Sequence, residues 1–200
     1  MNPLPNKSIT LVELIVAISL FAVLVLAFLS IDRFSDYHLR NTDIRAVVQN
    51  EAAFVLEHMS KQIAQAIGNP NIIGQEPVAM HSISGDWAIK VWIDGNNDGV
   101  RDRRVAYRWT EASGSLDDRY QIWYYADCPG SVCPDPPEII ARGIVAFSCA
   151  AVDNYVTIQV QACHIPCKQP ANTCNCSATN PDNPLIEMAT SIKMLGVSLN

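Results

Sequence analysis

The sequence predicts an α+β fold in which a long N-terminal helix packs by its second half on an antiparallel β-sheet domain. Three observations predict it. Leu14 through Ile31 holds no charged residue. Neither Pro nor Gly interrupts the stretch from Ile9 to Ile67. Beyond Pro70 the chain breaks into short apolar or alternating runs separated by turn residues, which is the pattern of a half-buried antiparallel sheet.

The helix comes first. Sixteen nearly all apolar residues, Leu14 through Leu29, rise about 1.5 Å each and nearly cross a hydrocarbon layer roughly 30 Å thick. Residues 9–31 therefore form the membrane-spanning segment, and 32–68 continue it as an amphipathic helix. Along that continuation Ile44, Val48, Val55, Leu56, Met59, Ile63 and Ile67 recur at three- and four-residue steps, a stripe that needs something to pack on. One helix of roughly 60 residues, about 90 Å long, fits the whole stretch, and Gly68-Asn69-Pro70 ends it. The polar leader, residues 1–8, carries the cation Lys7, which keeps it cytoplasmic and sends the remainder across. An ordinary secretory signal has a shorter apolar region, followed directly by a small-residue cleavage site, and neither feature is here.

Glu13 stands at the mouth of the apolar run, where an unpaired carboxylate is costly and calls for a partner or a proton. A plain signal-anchor whose Glu13 reaches into the headgroups is the simple explanation. The run Lys7-Ser8-Ile9-Thr10-Leu11-Val12-Glu13-Leu14, however, resembles the prepilin leader of type IV pilins and type II secretion pseudopilins. The resemblance implies cleavage between Ser8 and Ile9 by an aspartyl prepilin peptidase and methylation of the new amine. It also implies that Glu13 attracts the N-terminal amine of a neighbouring subunit and so sets the register of assembly. The family usually carries Gly at the position of Ser8 and Phe or Met at that of Ile9.

Residues 69–200 follow as a β-rich domain. Trp87 to Ile93, Arg104 to Trp109, Gln121 to Ala126, Ile144 to Cys149, Tyr155 to Ala162 and Ile192 to Leu199 read as strands. Hairpins are expected through Asp94-Gly95-Asn96-Asn97-Asp98-Gly99 and through Val152-Asp153-Asn154. The strand Arg104 to Trp109, the run Ile139 to Phe147 and a terminal strand together look like J-type minor pseudopilins and PilW-like minor pilins. That likeness implies a place near a filament tip and other pilin or pseudopilin subunits as partners.

Asp94, Asn96, Asp98 and Asp102 put oxygen ligands at alternate positions, with the Val100 carbonyl between them, as a short loop does around calcium. Val105 stands where an EF-hand would place its closing Glu. A polar hairpin that holds no metal explains the same residues. No other cofactor is expected. The seven cysteines all lie between Cys128 and Cys176, dense usage that suits an oxidising compartment. Cys128 and Cys133 bracket a Pro-Gly turn and pair plausibly. Cys163, Cys167, Cys174 and Cys176 form either disulfides of open connectivity, within a loop at 163–176, or a four-thiolate zinc site; Cys149 is left over as a buried thiol.

A formal net charge of -6 gives no basic excess to draw the chain to phosphate backbones, so no nucleic-acid partner is expected. Arg101, Arg103, Arg104 and Arg108, with Trp109, Trp123, Tyr124 and Tyr125 downstream, read as a solvated strand face. The four histidines form no metal-ligand spacing, and no nucleophile or phosphate-cradling motif is present, so catalysis is not expected. The reading is a minor pilin or pseudopilin, single-pass in the bacterial inner membrane with its domain periplasmic. A membrane-tethered periplasmic enzyme or ligand-binding domain is the alternative.

Overall fold

The computed structural model describes residues 10–69, 76–83, 86–94, 98–110, 120–128, 133, 136–164 and 176–197, with side chains omitted at 81–83 and 86–87. Helix α1 runs Leu11–Ala64, 54 residues. The chain divides into two compact units, Met1–Asp43 and Ile44–Asn200. In the first unit, apolar side chains are exposed all around the helix, Phe28 and Leu26 among them. In the second, Val48, Ala52, Val55, Leu56, Met59 and Ile63 of the same helix are buried. The predicted stripe thus faces a core, and the fold is α+β as read.

Among the described residues ten strands follow: β1 Ile67–Gly68, β2 Val78–Ile83, β3 Asp86–Ile93, β4 Arg103–Thr110, β5 Gln121–Tyr125, β6 Glu138–Arg142, β7 Ile144–Val152, β8 Tyr155–Cys163, β9 Leu185–Lys193 and β10 Gly196–Val197. Five of them form one antiparallel sheet in the order β2-β3-β4-β5-β6, three form another in the order β7-β8-β9, and β1 pairs with β10 in parallel. Alternation decides which side chains enter the core. From the larger sheet Ile89, Val91, Val105, Tyr107, Trp109 and Ile122 join the helix stripe, and from the smaller sheet Val156, Ile158, Val160 and Ile192 complete the cluster.

The two sheets meet at Gly143, between β6 and β7. Its φ of 75° lies in the left-handed region, and a Cβ there would stand 2.4 Å from the Cys163 carbonyl oxygen. Only glycine fits that approach. On either side the ladders carry on through the corner: Ile144 N–H donates to the Tyr120 carbonyl at 3.0 Å, and Cys163 N–H donates to the Gly143 carbonyl at 2.8 Å. Trp109 Nε1–H adds a third tie, to the Ile144 carbonyl at 2.8 Å.

Several elements differ from the sequence reading. The helix ends at Ala64 rather than Ile67, because the next residues are captured by strands. Ala66 bridges Ile93, and Ile67 and Gly68 pair with Gly196 and Val197. Leu195 N–H donates to the Ala64 carbonyl at 3.2 Å, satisfying one of the acceptors a helix end leaves open. Strand β2 is additional to the expected strands, and the run Ile139 to Phe147 is split at Gly143 between β6 and β7. The expected terminal strand from Ile192 to Leu199 is instead the end of a nine-residue strand, β9, that pairs with β8 along its whole length, followed by β10. The hairpin at Val152 closes through Asp153, whose φ is 53°, a conformation that a short polar side chain tolerates.

Candidate functional site

At the start of α1, Thr10 and Glu13 form a reciprocal cap. The Glu13 N–H donates to Thr10 Oγ1 at 3.3 Å, while Glu13 Oε2 accepts from the Thr10 N–H at 2.9 Å and from its hydroxyl at 3.0 Å. A helix begins with four N–H groups lacking intrahelical partners, and this capping box satisfies two donors with two side chains. The Thr10-x-x-Glu13 spacing that spells it is visible in the sequence, and the structure adds Thr10 to Glu13 as a residue of this site. Glu13 therefore has a partner within its own chain. Its other oxygen, Oε1, has no hydrogen bond among the described residues, and the side chain is exposed. The cleavage pair Ser8 and Ile9 lies outside the described residues.

From Leu11 onward the helix is long and apolar enough to cross a membrane, and none of that segment is buried within the chain. Its polar side chains turn inward on the backbone. The hydroxyls of Ser19 and Ser30 donate to the carbonyls of Ile15 and Leu26, at 2.8 and 2.9 Å, so no hydroxyl is left bare toward an apolar surrounding.

The β3–β4 hairpin brings Asp94, Asp98 and Asp102 together, with one carboxylate oxygen from each within 4.8 Å of the others. Asn96 lies outside the described residues. The acids order the turn. Asp94 accepts from the Asp98 and Gly99 N–H groups at 3.1 and 2.8 Å, and Asp98 accepts from Val100 N–H at 2.7 Å. Hard oxygen donors of this kind suit calcium or magnesium. The same N–H donors also moderate the repulsion among the carboxylates, so the turn is shaped with or without an ion. Val105 is wholly buried in β4, and the position of an EF-hand's closing acid therefore faces the core and cannot reach the loop.

Among the described residues, two disulfides join Cys128 to Cys133 and Cys163 to Cys176. Cys167 and Cys174 lie outside the described residues. The second bridge closes the Cys-rich loop at its two ends. Beyond it the turn from Ser177 to Leu185 folds on itself through Leu185 N–H to the Ser177 carbonyl at 3.1 Å, and Arg45 of α1 donates to the Ala178 carbonyl at 3.1 Å. Cys149 is the free thiol among the described residues, and burial pushes its pKa up to about 12. It is therefore a poor nucleophile at neutral pH.

The cation and aromatic set near the hairpin divides between two faces. Trp109 is buried in the core, and Tyr124 lies on the helix side against His58, 4.7 Å between ring centroids. On the opposite face Arg101 and Arg104 stand over the Trp92 ring at 5.7 and 5.0 Å, and Arg108 pairs across the strands with Trp123. No single stacking surface gathers these residues.

Compared with protein-family models, with curated proteins and with solved structures, the chain gives no match.

Proposed function

We propose that the protein is a minor pilin or pseudopilin, an assembly subunit rather than an enzyme, built into a type IV pilus or a type II secretion pseudopilus. One observation carries this reading: a single helix joins a membrane-length apolar half, headed by a carboxylate, to a half buried in a disulfide-bearing sheet domain. Such a helix supplies two surfaces. In a bilayer its first half is solvated by lipid, and in a filament by sister helices of the same character. The free Glu13 Oε1 is then available to a neighbour's amine while Oε2 keeps the helix capped. Two opposite charges in a low-dielectric bundle attract strongly, which sets the register. The domain lies in the periplasm, an oxidising compartment that suits the disulfides. The Asp94, Asp98 and Asp102 turn serves as a calcium loop in this reading, supported by its converging carboxylates.

N-terminal sequencing of the membrane-extracted protein tests the processing step. A methylated Ile9 at the new N-terminus is the expected result, whereas an intact Met1 points to a tethered domain that merely borrows a membrane anchor. Glu13→Ala should leave the subunit membrane-bound but abolish its incorporation into filaments. Unchanged incorporation would remove the register role.

A further inference from the structure

His58 lies where the second half of α1 meets the larger sheet. Its Nδ1 is 3.0 Å from the Tyr107 hydroxyl. The imidazole also stands edge-on to the Tyr124 ring at 4.7 Å and 6.1 Å from the Phe54 centroid. Tyr107 is 1% exposed, and among the described residues its hydroxyl has one hydrogen bond, the one to His58. Burial, then the neighbouring Tyr124, pushes the Tyr107 pKa far up, so the phenol keeps its proton across the accessible pH range.

That inventory fixes the direction of the bond. A phenol that keeps its proton donates it best to a neutral imidazole nitrogen, which requires His58 to carry its own proton on Nε2. Add a proton to His58 and Nδ1 becomes a donor. The Tyr107 oxygen can accept from it, but the phenolic hydrogen then loses the one acceptor it has among the described residues, and a buried unsatisfied donor is costly. We propose that His58 is an acid-sensitive latch between α1 and the sheet: neutral, it accepts the Tyr107 hydroxyl and holds the joint closed; protonated, it inverts the bond and loosens the helix from the sheet.

The charged neighbours on each packed element are few. Glu138 on β6 favours the imidazolium and Lys61 on α1 opposes it; burial, the largest influence, also opposes it. Arg103 on β4 acts on the two tyrosines, drawing their pKa values down. Lys61 is itself engaged with Glu57 at 2.7 Å. The net result places the His58 pKa below its ordinary value. The folded state then binds fewer protons than the unfolded chain between the two values. Stability is therefore full above the ordinary histidine value, about 6.5, and falls as pH drops toward the folded one.

The experiment uses the full-length protein in detergent micelles. Labelled-histidine NMR should show His58 titrating below 6.5, and Tyr107→Phe, which removes the hydroxyl and keeps the ring, should move that titration upward. Amide exchange across Val55 to Ile63, expressed relative to the intrinsic rate at each pH, should quicken at least several-fold between pH 7.5 and pH 5. In His58→Asn, whose amide oxygen can accept from the same hydroxyl without titrating, that acceleration should be absent. The proposal is overturned if His58 titrates at or above 6.5, if Tyr107→Phe leaves its titration in place, or if His58→Asn shows the same acid acceleration as the parent. Should His58→Asn fail to fold, the two titrations decide the matter by themselves.

Discussion

At the scale of single residues, backbone space is decisive at Gly143. The residue sits in the left-handed region at the corner of two sheets, with the Cys163 carbonyl where a side chain would begin. Gly143→Ala should therefore cost at least about 2 kcal/mol, more than the usual left-handed penalty, because the obstacle is backbone and cannot swing aside. Urea unfolding of the purified protein measures it, and a change within about 0.5 kcal/mol, the range of ordinary surface substitutions, would show that the corner has room. Glu13 presents a different lesson. Its oddness was legible as an acid beside an apolar run, and its nearest partner, Thr10, was legible too, since the capping box is written in four consecutive residues. The His58 to Tyr107 bond was not, because 49 residues separate its two ends.

Among the elements, the amphipathic part of α1 followed from periodicity, while its end did not. Ile67 continues the apolar pattern, but its backbone is claimed by β10, and Gly196 leaves just enough room, since a Cβ there would stand 2.9 Å from the Ala66 carbonyl oxygen. Strand β9 was under-read for a related reason. Ile186, Met188 and Ile192 mark its inner face at period two, but Thr190 interrupts the series and the outer face mixes Leu185 and Ala189 with Glu187, Ser191 and Lys193. The Asp-rich hairpin was legible as a turn with a ligand pattern, and the structure brings Asp94, Asp98 and Asp102 within reach of one ion. If the loop holds calcium, saturating Ca2+ should raise the melting temperature of the full-length protein and chelation should reverse it. At 100 times the dissociation constant the gain is about 2.7 kcal/mol. A melting temperature indifferent to both would remove the ion and leave a self-supporting hairpin.

For the whole molecule, the two disulfides contribute unequally. Cys163 and Cys176 are separated by 13 residues, Cys128 and Cys133 by 5, and in the chain-entropy account a longer closed loop restrains the unfolded chain more. Replacing both Cys163 and Cys176 by Ser should cost about 2–4 kcal/mol, whereas the same change at Cys128 and Cys133 should cost less. Denaturant titration of the two variants beside the parent gives the comparison; equal losses would mean that local packing, not loop closure, sets the value. The longer bridge ends beside the turn that Arg45 holds, so its loss should also quicken amide exchange at the beginning of the second unit.

The residues in their order were enough to determine the class of the molecule. An uncharged apolar run, an unbroken amphipathic stripe and short alternating runs are local patterns, and local patterns dictate which segments can become helix or strand and which faces must be buried. Tertiary structure alone decided where the helix stops, that the strands divide into two sheets at Gly143, and that the His58 imidazole meets the Tyr107 phenol. Each of those depends on a partner brought in from far along the chain, and a partner's position is a property of the folded whole that no short window of sequence contains.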